Sequence, residues 1–439
     1  MFFLRKNISA LSFFLIKILA NLKLNFLLSF LIYFSLQKLH VTKKENKNII
    51  ILEKSHGIED IRIAYKKHHE NINIFVLQRK IFQIIFVSIF KNRSKELRDN
   101  SYTMNDKDLQ NKQEELLNFL NQILFNLNKL IKVSALISFN YKYYAERELH
   151  KACKKNDIKF IVCHKECNVF DGELSYYNKI LEKIGKFEGD LITVYNDRYK
   201  SLLIKNKIIE QEKVIVTGMP RADIFFQDNE NYDKHILIFL ISTKRSLKYI
   251  QEAKDKKNIL PIEKIVNWDV LAKETIQTIL YVAKSYPNIN FIFKTKVKID
   301  EQTKDQQEII EEAKLSNCKI KYGGHSAQNI KEAKFVIGFN TTGIIEALIA
   351  KKTVLVPFFD IFEDDLKKKF ILNDHNLTLK AKDKKDLEKL LIQLIEKKQK
   401  KSQNNSEEYD KLFYEHIGNS DGKSSQRLRK VISELINKT

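Results

Sequence analysis

The feature that most constrains the fold of this 439-residue chain is an alternation of short apolar runs with longer segments of helical periodicity. The apolar runs lie at 48–53, 72–77, 135–140, 159–164, 190–195 and 213–218, and then at 235–242, 290–296, 318–323, 334–340 and 353–359. Short strands that are separated by helices pair in parallel and form a doubly wound sheet. We therefore predict an α/β protein with two such sheets.

Chain length and one polar connector divide this pattern into two domains. A chain of 439 residues exceeds one ordinary core, and the run QDNENYDK at 227–234 separates the two series of strands. We predict a Rossmann-like domain over 43–228, a second over 229–400 and a helical tail over 401–439. Ligands bind at the carboxyl ends of the strands in such folds, so we expect the two domains to face each other across a cleft.

The first 44 residues combine seven Lys or Arg and no acidic residue with a strongly apolar composition. The longest charge-free run, 24–37, is shorter than the roughly 20 residues that a spanning helix needs. On one continuous helix, the basic residues would fall within an arc of about 120°; they are Arg5, Lys6, Lys17, Lys23 and Lys38. We expect residues 1–42 to form an amphipathic helical segment that lies in the membrane interface. A spanning anchor and a pair of core helices are the alternatives.

The charge and the cysteine content limit the classes of partner that the chain can bind and indicate the compartment in which it functions. The formal net charge of +22 reflects either a lysine-rich solvated surface or an anionic partner. No zinc-ligand spacing, RRM-like aromatic strand or basic heptad helix is present, so we expect no nucleic-acid partner. The four cysteines form no CxxC pair, which suits a reducing cytoplasm. Cys163 and Cys167 flank His164 and Glu166, and a metal cluster there is an alternative to a plain polar loop.

Two loops that follow strands of the first series hold candidate catalytic residues. In SHGIED, His56 stands directly after a strand, where an imidazole can remove a proton from an acceptor hydroxyl near neutral pH. In HKECNVFDGE, His164 and Glu166 can orient a sugar or supply a base. The alternatives are an exposed histidine in a turn and a polar loop without a catalytic role.

The segment GFNTTGIIEAL at 338–348 predicts an anion site in the second series. A strand ends there, Asn340 begins a polar turn, and an apolar helix follows with Thr341 or Thr342 as its N-cap. Backbone N–H groups at a helix start bind phosphate groups, and Glu346 lies about one turn further along the helix, within reach of a ribose hydroxyl. The alternative is a capped structural helix.

These motifs together resemble the GT-B superfamily of nucleotide-sugar transferases, and more narrowly bacterial capsule and lipopolysaccharide biosynthesis proteins and CDP-glycerol glycerophosphotransferases. The turn Gly218-x-Pro220-Arg221-x-Asp223 is similar to their inter-domain G-x-P-R-x-D. Their nucleotide-binding helix starts with a Ser/Thr pair followed by Glu, which Thr341, Thr342 and Glu346 match ahead of KKTVLVPF. The tail GNSDGKSSQRLRKVI also looks like the closing segment of these proteins, so the resemblance extends over about residues 45–438.

The chain departs from this resemblance at one motif. Many of these relatives carry Lys-x-His-Pro after a strand, whereas this chain reads FIFKTKVK, with Lys294 kept and Lys296 in place of the histidine. A lysine still neutralises a phosphate as a point charge. His325 in GGHSAQN is a candidate for the missing imidazole.

The resemblance implies a transferase that moves a sugar or polyol phosphate from a nucleotide-activated donor to a surface glycan or lipid-linked acceptor. Donor-binding residues would be Gly218, Arg221, Lys294, Lys296, His325, Asn340, Thr341, Thr342 and Glu346. Arg221 either faces the donor phosphates or pairs with Asp223. We expect no cofactor and no bound metal, and a peripheral location on the cytoplasmic face of the cell membrane. A UDP-sugar 2-epimerase-like enzyme and a non-catalytic membrane-bound scaffold are the alternatives.

Overall fold

The computed structural model describes residues 2–41, 47–54, 57–66, 71–97, 101–169, 174–227, 233–242, 267–295, 302–323, 326–360, 372, 376–397 and 406–437. The chain forms two compact units. The first contains Met1–Val169, Leu174–Asp223 and Glu415–Thr439, and the second contains Ile224–Tyr414. The predicted boundary at 228 lies close to the unit boundary at Asp223, and the residues from Glu415 onward belong to the first unit.

Within the described residues, the first unit contains seven strands with helices between them. Its strands are β1 (Gln37–His40), β2 (Lys47–Glu53), β3 (Ile72–Gln78), β4 (Val133–Ser138), β5 (Lys159–Cys163), β6 (Leu191–Val194) and β7 (Val214–Val216). Its helices are α1 (Phe2–Asn21), α2 (Asn25–Phe34), α3 (Gly57–Tyr65), α4 (Lys80–Phe90), α5 (Lys107–Ile131), α6 (Arg147–Lys155), α7 (Leu174–Leu181) and α8 (Asp197–Lys205). Short 3₁₀ turns span Lys91–Lys95, Tyr144–Glu146, Gln211–Lys213 and Pro220–Phe226.

The first sheet has the strand order β1-β3-β2-β4-β5-β6-β7. All neighbours are parallel except β1, which runs antiparallel to β3 at the edge. Strands β2 to β5 are buried along most of their length, which is why they read as continuous apolar runs in the sequence. The chain changes the side on which it adds strands between β2 and β4.

The second unit carries a six-stranded sheet. Its strands are β8 (His235–Phe239), β9 (Phe291–Thr295), β10 (Cys318–Tyr322), β11 (Ala333–Ile337), β12 (Val354–Pro357) and β13 (Leu379–Ala381). The helices are α9 (Asn267–Ser285), α10 (Lys304–Glu312), α11 (Ser326–Glu332), α12 (Thr342–Ile349), α13 (Lys384–Ile395) and α14 (Ser406–His416). All pairs in the order β10-β9-β8-β11-β12-β13 are parallel, so the prediction of two doubly wound parallel sheets is confirmed.

The final helix, α15 (Ser424–Asn437), completes the core of the first unit. Leu428, Ile432 and Ile436 are buried in the cluster that includes Ile61 of α3 and Ile137 of β4. The tail predicted at 401–439 therefore does not form a separate body. Its end supplies apolar side chains that the first sheet needs on one face.

The N-terminal segment is helical, but the single continuous helix assumed above is wrong. The chain breaks at Lys23, which has a φ of 55°, and Lys38 lies on β1 instead of a helix. Helix α1 packs on α4, and α2 packs on α5. Among the described residues, no helix is both long enough and apolar enough to cross a membrane.

An aspartate caps the long helix of the first unit. Helix α5 begins at Lys107, with Asp106 as its N-cap. The Asp106 side chain accepts a hydrogen bond from the backbone N–H of Leu109 at 3.1 Å, which stabilises that start. Most of the connector 227–234 lies outside the described residues.

Candidate functional site

The second sheet changes its direction of strand addition between β8 and β11, and helix α12 begins close to that point. Strands β9 and β10 extend the sheet on one side of β8, while β11, β12 and β13 extend it on the other. Ligands of open α/β sheets bind at the carboxyl ends of strands where this reversal occurs. The reversal therefore marks 338–343 as the first place to look for a ligand site.

A glycine brings α12 against the end of β8. A Cβ atom at Gly343 would lie 2.7 Å from the ring of Phe239, closer than side chains tolerate. The first sheet repeats this contact at its own reversal, where a Cβ atom on Gly57 at the start of α3 would lie 2.2 Å from the ring of Phe139. In both units a helix start is thus seated beside the end of the neighbouring strand.

Thr341 is the N-cap of α12. Its side chain accepts a hydrogen bond from the backbone N–H of Gly343 at 3.4 Å, and Asn340 before it has a φ of 46°. The N–H groups of a first helical turn have no partner within the helix, so this end carries partial positive charge. Thr342 is the first helical residue, and Glu346, one turn along, is buried with 8% of its surface exposed. This arrangement can bind an anion.

Lys294 lies at the same edge of the sheet as this helix start. It pairs in register with Phe239 of β8, and β8 separates β9 from β11. Its side chain is buried, and Nζ donates a hydrogen bond to the carbonyl of Thr295 at 3.0 Å. Adjacent strands lie about 4.8 Å apart, so Lys294 stands about 10 Å from the end of β11 across the sheet. A buried ammonium group at this distance adds positive charge to the site.

Aromatic side chains that sequence reasoning overlooked lie next to the same loop. Trp268 of α9 packs edge-on against Phe339 at 5.2 Å between ring centroids, and Phe358 lies 6.5 Å from Phe339. Trp268 and Phe358 are partly exposed, whereas Phe339 is buried. Partly exposed rings at the carboxyl edge of a sheet offer a flat apolar surface for a base.

A charged cluster stands at the reversal of the first sheet. Lys54 follows β2, Arg79 follows β3, and Glu146 lies in the turn after β4. The Glu146 carboxylate accepts hydrogen bonds from Arg79 and from Ser138. Burial raises the pKa of Glu146, which the Arg79 charge opposes. Glu146 is only 1% exposed and is therefore placed to hold Arg79 and not to meet a substrate.

Lys54 is a partly exposed cation of this cluster. Burial lowers its pKa, the positive charges of Lys165 and Arg79 lower it further, and Glu166 and Glu146 oppose them. Lys54 is followed directly by the predicted loop SHGIED, yet sequence reasoning attended to His56 and missed it. The position of Lys54 immediately after a buried strand is the sequence feature that could have identified it as a candidate.

Glu166 lies where the sequence predicted, at the carboxyl end of the first sheet. It accepts hydrogen bonds from Asn140 at 2.8 Å and from Lys165 at 3.0 Å. Burial pushes the pKa of Glu166 upward, but the charge of Lys165 and the hydrogen bond that Lys165 donates bring it below its ordinary value. Its side chain is 48% exposed. Such a carboxylate suits hydrogen bonding to an acceptor hydroxyl better than proton removal.

His164 is placed in the core of the first unit. It is 1% exposed and packs between Tyr199, at 4.7 Å between ring centroids, and Tyr141, at 5.2 Å. Burial lowers its pKa to about 3. The imidazole is neutral near pH 7 but has no exposed surface for a substrate. Its position is that of a packing residue, and the predicted role as a base does not fit this burial.

The turn at 218–223 is tied to residues of its own unit. Arg221 pairs with Asp60: its guanidinium lies 3.1 Å from the Asp60 carboxylate and donates to the Tyr195 hydroxyl at 2.6 Å. Burial raises the pKa of Asp60, which the Arg221 charge opposes. Asp223 instead accepts from the backbone N–H groups of Ser424 and Ser425, at 3.1 and 2.7 Å, and so caps α15.

Gly218 lies at the same contact between the turn at 218–223 and the start of α15. Its φ is 82°, and a Cβ atom there would lie 2.3 Å from the Asn419 side chain and 2.4 Å from that of Ser424. Gly218 and Arg221 therefore stand where the C-terminal segment docks on the first unit. The two motifs of the family resemblance, the G-x-P-R-x-D turn and the closing segment, contact each other.

The predicted site residues divide between the two units. His164, Glu166, Gly218 and Arg221 belong to the first, and Lys294, Asn340, Thr341, Thr342 and Glu346 belong to the second. His56, Lys296 and His325 lie outside the described residues, so their roles stay predictions. Cys163 and Cys167 are buried free thiols, and the described residues include no group of three or more His, Cys, Asp or Glu placed to hold a metal.

Comparison with known proteins gives structural resemblances at low identity. No protein-family model matches the chain, and no curated protein is similar to it in sequence at a significant level. The UDP-GlcNAc 2-epimerase of Neisseria meningitidis, bound to UDP-GlcNAc, is 15% identical with a TM-score of 0.47, covering 88% of this chain and 100% of its own. The UDP-GlcNAc 2-epimerase of Methanocaldococcus jannaschii is 13% identical with a TM-score of 0.48, covering 89% and 99%.

A third solved structure is a glycosyltransferase from Rickettsia africae. It is 14% identical with a TM-score of 0.43, covering 90% of this chain and 100% of its own. Identities and TM-scores this low do not determine a substrate or a reaction.

Proposed function

We propose that this protein is a transferase that moves a sugar or polyol phosphate from a nucleotide-activated donor to a glycan or lipid-linked acceptor at a membrane surface. The observation that carries the proposal is the start of α12 at the reversal point of the second sheet. There the Thr341 cap and the first-turn N–H groups stand at the carboxyl edge, two strands from the Lys294 ammonium.

In this proposal the second unit binds the donor. The diphosphate lies at the start of α12 on Thr342 and its N–H groups, and Lys294 neutralises its charge. Glu346 accepts a hydrogen bond from a ribose hydroxyl, and the base stacks on Trp268. Charge that develops on the departing phosphate is stabilised by fixed dipoles that are already oriented, which lowers the barrier to transfer.

The first unit binds the acceptor. Lys54 and Lys165 attract an anionic or hydroxyl-rich acceptor to the reversal point of the first sheet, and Glu166 orients its hydroxyl groups. His56, whose position is predicted from the sequence alone, would remove the proton of the attacking hydroxyl. The bond between the transferred group and the nucleotide phosphate breaks, and a bond to the acceptor oxygen forms.

A binding experiment tests the donor site directly, because Trp268 is the single tryptophan of the chain. Titration with a CDP-linked or UDP-linked donor should quench its fluorescence, and Glu346→Ala should weaken binding by about tenfold or more. Glu312→Ala, an exposed change on α10, is the matched control. Unchanged affinity in Glu346→Ala would remove this carboxylate from the site.

A turnover assay separates transfer from the alternatives. Purified protein with donor and a lipid-linked acceptor should release nucleotide only when the acceptor is present. Epimerised donor sugar without acceptor would identify an epimerase instead. Donor binding with no nucleotide release and no altered sugar, over a range of acceptors, would identify a scaffold.

A further inference from the structure

The first N-terminal helix leaves an apolar stripe uncovered. Four residues of this stripe are between 37% and 60% exposed, namely Leu11, Phe14, Leu15 and Ile18, and Leu22, directly after the helix, continues it at 63%. Their spacing places them on one side of the helix, while Ile16 and Ala20 on another side are buried at 0% and 2% exposure. Helix α1 thus packs on α4 through one side and presents large apolar groups to the surroundings through another.

The second helix repeats this arrangement. Phe26, Leu27, Phe30 and Phe34 are between 44% and 66% exposed, also at helical spacing. On the opposite side Ser29 is buried, and its hydroxyl donates to the carbonyl of Ile123 in α5 at 3.1 Å. The exposed stripes of α1 and α2, with Leu24 between them, are called the N-terminal apolar face here. Large exposed apolar patches on a folded protein mark interaction surfaces.

A basic cavity lies at the elbow between these helices. Its volume is about 530 Å³, and its lining includes Lys23, Lys91, Lys112 and Glu115. Lys23 and Lys112 each place Nζ 2.8 Å from the Glu115 carboxylate. Three ammonium groups against one carboxylate leave an excess of positive charge around the cavity. Leu22 and Leu24, both exposed, flank Lys23 in the chain, so the cavity adjoins the apolar face.

The charges around the face decide between possible occupants. Residues 1–44 contain no acidic side chain, Lys17 is exposed beside the α1 stripe, and Lys129 lies 4.0 Å from the exposed ring of Phe125 on α5. A second copy would bring the same cations together, and like charges oppose such an interface. An anionic bilayer supplies both an apolar interior for the phenylalanines and phosphates for the lysines.

We infer that the N-terminal apolar face enters the interface of an anionic bilayer and that the elbow cavity receives a lipid phosphate. The inference deepens the membrane association of the proposed function by naming the surface and the lipid class. It assigns α1 and α2 an orientation with their exposed stripes in the acyl region and Lys23, Lys91 and Lys112 at the headgroups. Its test does not depend on donor binding.

Vesicle sedimentation of the full chain tests the inference. Vesicles of phosphatidylcholine alone should bind weakly, and vesicles that also contain phosphatidylglycerol should bind strongly. Phe26→Ser with Phe30→Ser should lower binding to both, and Lys23→Gln with Lys91→Gln should lower binding to anionic vesicles by about fivefold per lysine. The matched controls, Val270→Ser with Tyr281→Ser and Lys304→Gln, change exposed residues of the second unit and should leave binding unchanged.

Circular dichroism spectra and thermal unfolding curves that match those of the wild type establish that each variant is folded, so a loss of vesicle binding has a local cause. Equal binding to neutral and anionic vesicles would overturn the lipid assignment. A dimer in sedimentation velocity that Phe26→Ser with Phe30→Ser dissociates, with vesicle binding unchanged, would assign the face to a second copy. If the wild-type protein binds no donor, the proposed function is overturned, but the vesicle-binding result still stands.

Discussion

Gly343 lies so close to Phe239 that a Cβ atom at its position would sit 2.7 Å from the phenyl ring. The contact joins the first turn of α12 to the end of β8 across the reversal point of the second sheet. It places the Thr341 cap and the N–H groups of the helix at the carboxyl edge of the strands. The geometry of the proposed phosphate site therefore depends on the absence of one side chain.

Gly343→Ala should destabilise the second unit by about 1–3 kcal/mol, because Phe239 must move to admit a methyl group. Urea unfolding followed by Trp268 fluorescence measures this change in the second unit. Phe239→Leu in the same chain should relieve part of the loss, so the double variant should be less destabilised than the sum of the single variants. Strict additivity would show that the two residues do not compete for space.

Lys294→Met should weaken donor binding by about tenfold or more, since a charge-assisted contact to a phosphate is lost. The measurement is the donor concentration at half-maximal quenching of Trp268. Lys319→Met is the matched control, because Lys319 is an exposed lysine on the neighbouring strand β10. Equal affinity of Lys294→Met and wild type would show that the buried ammonium serves the fold alone.

Lys54→Met should lower kcat/KM for the acceptor while donor affinity stays constant, because Lys54 stands in the first unit and the donor is proposed to bind in the second. Lys54→Arg should retain more activity, since it keeps the charge. Steady-state kinetics with varied acceptor supply the measurement, and Lys205→Met, an exposed change in α8, is the control. A loss of donor affinity in Lys54→Met would contradict this division of labour.

The burial of His164 predicts a pH dependence of stability. Its pKa falls from 6.5 to about 3 on folding, so the unfolded chain binds more protons between these values. The free energy of unfolding should therefore fall as pH drops below about 6.5, by up to about 1.4 kcal/mol per pH unit for this group. Burial lowers the pKa of His150 as well, which adds a slope of the same sign.

His164→Phe keeps an aromatic ring against Tyr199 and removes the titrating group. Its unfolding free energy, measured by circular dichroism at a series of pH values from 7.5 to 5, should show a shallower slope than wild type. His150→Phe should also make the slope of unfolding free energy against pH shallower, and the double variant should have the shallowest slope. A slope that His164→Phe leaves unchanged would place the proton uptake elsewhere.

Arg221→Ala should destabilise the first unit by about 3–5 kcal/mol, because it leaves the Asp60 carboxylate buried without its cationic partner. Asp60→Asn combined with Arg221→Met removes both charges and should recover part of the loss. Arg93→Ala breaks a surface pair with Asp106 and should cause a much smaller change. Stability losses of similar size in Arg221→Ala and Arg93→Ala would contradict a buried pair.

The strands and the start of helix α12 could be predicted from the local composition of the sequence. Strands such as β2 and β8 are buried on both faces, so their residues are apolar without interruption and can be recognised one segment at a time. The Thr341 cap was likewise predictable, because an N-cap satisfies backbone groups within three residues of itself. Both signals depend on neighbours that are close in the chain.

Other features depend on residues far apart in the chain, and those were missed or assigned to the wrong partner. Arg221 pairs with Asp60, 161 positions away, and Asp223 caps a helix that begins 201 positions later. The sequence predicted that His164 is a base in an exposed loop, whereas the structure packs it between Tyr141 and Tyr199. An ion pair or a buried ring is selected by which groups share a low-dielectric interior, and that neighbourhood exists only after the sheet has folded.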